Sequence, residues 1–348
     1  MPNMKWITNG VCGLAISFLW ILADVAYSQD EIRVGIIGLD TSHAPAFTKL
    51  LNVTDDPQWI PGAKVVAAVS QGSHDIVSSV SRVPQYTEAV KKYGVRIVDT
   101  VEILVEQVDA VLLESNDGRV HLEQVVPVLA AGKPVFIDKP IAGSLVDALV
   151  IFTLADYFST PVFSSSSLRF ASTTQAVRDG SIGEVLGCDT FSPCLLEKTH
   201  PDLFWYGIHG IESLFTVMGS ECESVVRTST KEFDQVTGIW SGGRIGTFRG
   251  IRKGTRAYGG MAFGTKGVIS VGNLDGYRPL LLEIISFFKT GKSPVSVEET
   301  TAIYAFMEAA DQSKQSQKRV TIADVLKRAS QSAKPIVARQ IAYLKNNE

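Results

Sequence analysis

The chain has 348 residues, 45% of them hydrophobic and 20% charged, with a formal net charge of −3. Those values describe a packed protein long enough for two domains and exclude a disordered chain. No long run of Lys and Arg is present, which argues against nucleic acid as a partner.

In chain order, Lys5, an apolar stretch over residues 11–22 and the small-x-small run Ala26-Tyr27-Ser28 read as a secretory signal peptide, cut after Ser28. The stretch is short for a membrane span, which needs about 20 residues; a retained signal anchor is the alternative. Residues 1–28 are thus expected to direct export to the periplasm or the exterior, with no membrane attachment after cleavage. Three cysteines would remain, Cys188, Cys194 and Cys222. Cys188 and Cys194 could bridge, or all three could be buried thiols. No C-x-x-C or H-x-x-x-H spacing marks a structural zinc site.

Residues 29–158 alternate strand and helix patterns. Strand-like runs fall at 32–37, 64–69, 110–113 and 135–137. Phe47, Leu50 and Leu51 share one helical face, as do Leu122, Val125, Val128 and Leu129, with Pro127 a kink candidate. This alternation predicts a Rossmann-type parallel sheet covered by helices. From residue 159 to 348 the texture changes. A single helix is predicted over 204–218, then strands at 224–229, 235–240, 244–251 and 267–271, with Ser241-Gly242-Gly243 as a hairpin turn. Helices follow at 279–288 and 297–313. The prediction is an α+β domain on an open antiparallel sheet, its last helices packing back on the first domain.

The turn after the first strand opens as a dinucleotide site does, with Gly35 and Gly38. The fingerprint G-x-G-x-x-G, counted from Gly38, is then broken by Asp40 and His43. A carboxylate about 4 Å from a phosphate costs roughly 4 kcal/mol at a surface-like dielectric. Asp40→Gly is therefore expected to raise dinucleotide affinity by a few kcal/mol. Asp40, Thr41 or Ser42 could instead cap the helix. After the second strand, Ser70 stands where NAD-specific proteins carry a carboxylate. Asp40 and His43 form a D-x-x-H spacing too common to mark a metal site, and none is expected. Further on, Asp138-Lys139-Pro140 places an ammonium at the carboxyl edge of the sheet, where α/β ligands bind.

These segments together resemble the glucose–fructose oxidoreductase / inositol dehydrogenase (Gfo/Idh/MocA) family. Residues 34–38 look like its first strand, Ser115-Asn116-Asp117-Gly118-Arg119-Val120-His121 like its T-P-N-x-x-H segment, and 131–135 leading to 138–140 like its A-G-K…E-K-P signature. Gly264-Thr265-Lys266-Gly267 and residues 283–287 look like its later sheet and helix. Trp205 to Glu212 align with its D-x-G-x-H-x-x-D helix, keeping Gly207 and His209 and replacing the first aspartate by Trp205.

The resemblance implies NAD or NADP as cofactor, a sugar or polyol as small-molecule substrate, and homo-oligomers built through the open sheet. It implies Lys139 and His209 as the catalytic pair, the histidine because its pKa lies near neutrality. Gly35, Gly38, Asp40, Ser70, Asn116, His121, Lys139 and Pro140 would hold the cofactor. His121 more plausibly fixes its loop than reacts. Arg169, His200, Trp205, Tyr206 and Glu212 would meet the substrate. An NAD(P)-dependent oxidoreductase acting on a sugar or polyol is the leading expectation. An exported, non-redox protein that binds or cleaves carbohydrate after losing normal NAD(P) binding is the alternative.

Overall fold

The computed structural model describes residues 31–346; the expected signal peptide lies outside the described residues. The first half forms a six-stranded sheet. Its elements run β1 (Ile32–Ile37), α1 (His43–Asn52), β2 (Ala63–Val69), α2 (Val77–Lys92), β3 (Arg96–Val98), α3 (Val101–Val105), β4 (Ala110–Leu113), α4 (His121–Ala130), β5 (Val135–Asp138), α5 (Leu145–Tyr157) and β6 (Val162–Ser165). The strand order is β3-β2-β1-β4-β5-β6, and every pairing is parallel. Helices cover both faces, so β4 and β5 are buried along their whole length. The order reverses between β1 and β4, which opens a crevice at their carboxyl ends.

Gly38 closes that end of the sheet. Its φ is +87°, and a Cβ there would lie 2.3 Å from Ser115 Oγ and 2.5 Å from the Ser115 amide nitrogen. Only glycine lets the turn after β1 touch the loop after β4. Gly35 serves packing instead: a Cβ would press within 3.0 Å of Leu104.

The second half adds α6 (Ser172–Arg178), β7 (Val185–Pro193), α7 (Asp202–Trp205), α8 (Ile208–Met218), β8 (Cys222–Ser229), β9 (Phe233–Trp240), β10 (Ile245–Ile251), β11 (Gly259–Gly264), β12 (Gly267–Val271), α9 (Arg278–Thr290), α10 (Val297–Ser316), β13 (Val320–Thr321) and α11 (Ile322–Lys345). The seven-stranded sheet runs β12-β11-β7-β10-β9-β8-β13. It is mixed rather than wholly antiparallel, because β10 pairs parallel with β7. Gly242 and Gly243, both at positive φ, turn β9 into β10 as the sequence predicts. Strands β7 and β11, with glycines and polar residues among their apolar ones, escaped the sequence pattern. Helices α8 and α10 cover one face. On the other, the cross-strand row Val268, Phe263 and Ile245 remains exposed.

The first sheet continues through β6, past the boundary drawn at residue 158. Helix α9 shares the apolar cluster of β1 and α1, with Phe287 edge-on to Phe163 at 4.8 Å. Helix α11 packs on α5. Cys188, Cys194 and Cys222 are free and buried, and burial pushes the thiols of Cys194 and Cys222 up to about 12.

Candidate active site

The predicted single helix over 204–218 is two. α7 ends at Trp205 and α8 begins at Ile208, with Tyr206 at φ −136° between them. At Gly207 a Cβ would meet Cys194 Sγ and the Leu203 carbonyl, each at 3.1 Å, so a side chain at the joint would have to push its neighbours aside. The break brings Tyr206 and His209 to a small cavity of about 130 Å³, which Lys139, Asn116, Asp138, Tyr258 and Tyr277 also line. Lys139 comes from the loop after β5, where the Lys139–Pro140 peptide is cis. Thus Lys139 and His209, on different domains, face one space at the carboxyl edge of the first sheet.

His209 is buried and held by Ser166, whose Oγ is hydrogen-bonded to His209 Nδ1 at 2.8 Å. Burial, reinforced by the Lys139 charge, holds this imidazole well below its ordinary pKa. It is therefore neutral at neutral pH, with Nε2 left for a ligand. Tyr206 and Tyr258 add two hydroxyls, 3.4 Å apart, and flank the His209 ring edge-on.

A second, larger cavity of about 1030 Å³ lies beside the loops after β2, β3 and β4. Ser70, Asp75, Asp99, Asp117 and Arg119 line it. Ser70 shares a hydrogen bond with Thr87 at 2.7 Å, and Arg119 is tied to Asp75 and Asp117. Asp117 resists burial because His200, Arg119 and Ser73 hold its carboxyl well below the usual carboxylate range.

Several expected site residues do other work. Asp40 is fully buried beneath the turn rather than projecting from it. Its Oδ1 accepts the Asn116 amide hydrogen at 2.8 Å and its Oδ2 accepts the Ser79 hydroxyl at 2.5 Å. Burial pushes its pKa up. It is not a bare charge aimed at a phosphate, so the repulsion expected from sequence does not arise in that form. His121 is buried between the carbonyls of Ser115 and Ile141, at 2.7 and 3.2 Å, and holds the loop. Arg169 and Glu212 are spent on each other: Arg169 Nε donates to Glu212 Oε1 at 2.5 Å and its Nη1 to Glu299 at 2.6 Å. This buried triad ties the segment after β6 to α8 and α10 and does not line the small cavity. His200 Nε2 sits 3.2 Å from Asp117 Oδ1, its ring 4.9 Å from Trp205, so this pair also stands outside that cavity.

Sequence reasoning missed Tyr258, Tyr277 and Arg82, which line the small cavity from loops and from α2. Arg82 Nη1 reaches the Asp40 carbonyl at 3.4 Å. Nothing local in the sequence distinguishes these side chains from ordinary surface residues.

The arrangement fits a dinucleotide. The larger cavity has room for an adenosine at the strand ends, Arg82 offers a cation near the turn, and α1 starts beside it at His43. The small cavity would then receive the reactive end, with Lys139 and His209 beside it.

A family profile described as "Oxidoreductase family, NAD-binding Rossmann fold" (GFO_IDH_MocA) matches residues 32–163. Similar solved structures include a "probable dehydrogenase from Thermotoga maritima", 22% identical, TM-score 0.68, covering 84% of this chain and 100% of that one. Scyllo-inositol dehydrogenase from Lactobacillus casei with bound NAD(H) and scyllo-inositol is 18% identical, TM-score 0.68, covering 84% and 99%. Myo-inositol 2-dehydrogenase from Lactobacillus plantarum is 16% identical, TM-score 0.67, covering 83% and 99%. A search of curated proteins found no match. At these identities the solved structures attest the fold alone. Residues 32–163, the Rossmann portion of the chain, thus match the model of the Gfo/Idh/MocA oxidoreductase family.

Proposed function

We propose that the cavity shared by Lys139 and His209 is the active site of an NAD(P)-dependent oxidoreductase that acts on a hydroxyl of a sugar or polyol. The observation that carries this reading is the convergence of an ammonium and a neutral imidazole from two domains on one cavity at the sheet's carboxyl edge. The bound nicotinamide would supply hydride chemistry. Lys139 would donate a hydrogen bond to the reacting oxygen and His209 Nε2 would exchange its proton, with Ser166 fixing the ring. Tyr206 and Tyr258 present polar tips and apolar bodies, a combination suited to a sugar ring. The inositols bound or named in the similar structures support a polyol, and a cavity of this polarity is consistent with one.

The test is direct. Mature protein is denatured and its supernatant checked for nicotinamide by mass, NAD and NADP are titrated calorimetrically, and inositols and hexoses are assayed at 340 nm. Binding of either dinucleotide with turnover of a polyol supports the reading. A folded protein that carries none and titrates with neither overturns it and favours the non-redox alternative.

Two further expectations belong here. The exposed row Val268, Phe263 and Ile245 supports a homo-oligomer closed over the open sheet, checked by light scattering of Phe263→Lys against wild type. Residues 1–28 support export, checked by sequencing the mature N-terminus from a host's periplasmic fraction.

A further inference from the structure

We propose that His43, Glu114 and Asp138 form a binding site for one divalent first-row cation, such as zinc or manganese, on the wall of the small cavity. His43 is the first residue of α1, Glu114 directly follows β4, and Asp138 ends β5. The parallel sheet brings these three positions to one point at the switch in strand order. His43 Nδ1 lies 2.9 Å from Asp138 Oδ2 and 3.7 Å from Glu114 Oε2. One ligand atom from each residue falls within a common span of 4.8 Å. Two ligands about 2.1 Å from one cation stand about 3.0 Å apart at a right angle and about 3.4 Å apart at the tetrahedral angle. The observed separations bracket those values.

Satisfaction of polar atoms points the same way. His43 Nδ1, Asp138 Oδ2 and Glu114 Oε1 are all buried, and none has a hydrogen-bond partner, while Glu114 Oε2 accepts from the Thr41 hydroxyl at 3.4 Å. The His43–Asp138 contact stands as a close ion pair. Two fully buried carboxylates side by side need positive charge, which the His43 imidazole and the nearby Lys139 ammonium supply only in part. One nitrogen and two carboxylate oxygens are a donor set that suits zinc or manganese. Phe47 stacks on the His43 ring at 5.1 Å and Tyr277 meets it edge-on at 4.6 Å, so the ligand is held in orientation.

His43 and Asp138 line the cavity, and Glu114 stands behind them. Three protein ligands leave at least one coordination position open, and that position faces the space beside Lys139. The ligand class is an oxygen donor: water, or a hydroxyl or carbonyl of the molecule in the cavity. The site concerns the metal alone and stands whether or not the cavity performs redox chemistry.

Chelator-stripped full-length protein is titrated with cobalt(II) while visible absorption is followed, and zinc and manganese contents are measured after dialysis. The expected result is one saturable equivalent per chain, weakened at least tenfold by His43→Gln and by Asp138→Asn and unchanged by His74→Ala, an exposed histidine. A folded wild-type protein without stoichiometric uptake overturns the proposal and leaves the trio a proton-held ion cluster. Uptake that survives both ligand variants overturns it too. Should those variants not fold, X-ray absorption of the wild-type zinc complex decides. One imidazole with carboxylate oxygens upholds the assignment, and any thiolate or a shell without imidazole overturns it.

Discussion

The Asn116 amide donates to Asp40 Oδ1 at 2.8 Å, bridging the two loops that flank the switch point of the Rossmann sheet. The second oxygen of Asp40 accepts from Ser79 on α2, so one carboxylate ties two loops and a helix together. Each unmade buried hydrogen bond leaves a group costing about 1 to 3 kcal/mol. Asp40→Gly should therefore lower stability by about 2 to 4 kcal/mol and bring no gain in dinucleotide affinity. Asp40→Asn, which can still accept from Asn116, should lose about half as much. Urea unfolding of the two variants, beside NAD titration, checks both statements; tighter NAD binding by the glycine variant would restore the repulsion argument.

Lys139→Met should keep the fold, since the side chain ends in a cavity, and reduce kcat at least about a hundredfold. His209→Gln should do the same. The Lys139→Met variant should also move the histidine: without the ammonium, the His209 pKa rises toward its ordinary value, because one of the causes holding it down is gone. Imidazole proton shifts followed by NMR across pH 4 to 8 read that change directly. An unmoved titration would place the two groups out of electrostatic reach.

The Arg169 guanidinium is enclosed by Glu212 and Glu299. Removing one member of a buried ion cluster leaves charge unpaired, at about 3 to 5 kcal/mol. Arg169→Met should lower the unfolding midpoint accordingly and leave KM nearly unchanged at a temperature where the protein is folded. A large KM effect with little loss of stability would return Arg169 to the substrate site.

Asp311 carries a pH signature. Burial, only partly offset by Arg227, raises its carboxyl to about 6 in the folded chain, against about 3.9 unfolded. Between those values the folded state binds the extra proton, so this group's contribution to stability falls as pH rises from about 4 to 6. The full swing is on the order of 3 kcal/mol. Asp311→Asn mimics the protonated form. It should match wild type near pH 4.5 and exceed it in stability at pH 7. Asp234, which shares Arg227 but whose pKa is lowered by Arg252 and Arg227 despite burial, should show the opposite: Asp234→Asn destabilises at pH 7. Denaturant melts at the two pH values separate these outcomes.

The sequence by itself determined the parallel class of the first sheet and four of its six strands, missing the short β3 and β6. Strands such as Ala110–Leu113 are apolar throughout because both faces are covered, and the intervening helices carry one apolar face each. It also marked Lys139 and His209, through spacing that a family resemblance could interpret. Tertiary structure alone decided which charges line a cavity and which are spent on partners inside the fold. Asp40 reads as an obstacle to phosphate in one dimension, yet it points inward, because Ser79 and the Asn116 amide need an acceptor there. Arg169 and Glu212 read as site residues until the fold pairs them with each other. His43, Glu114 and Asp138 carry no joint signal along the chain. Their relation exists only because neighbouring strands of a parallel sheet end side by side, and contacts between residues so distant in sequence leave no periodicity to read.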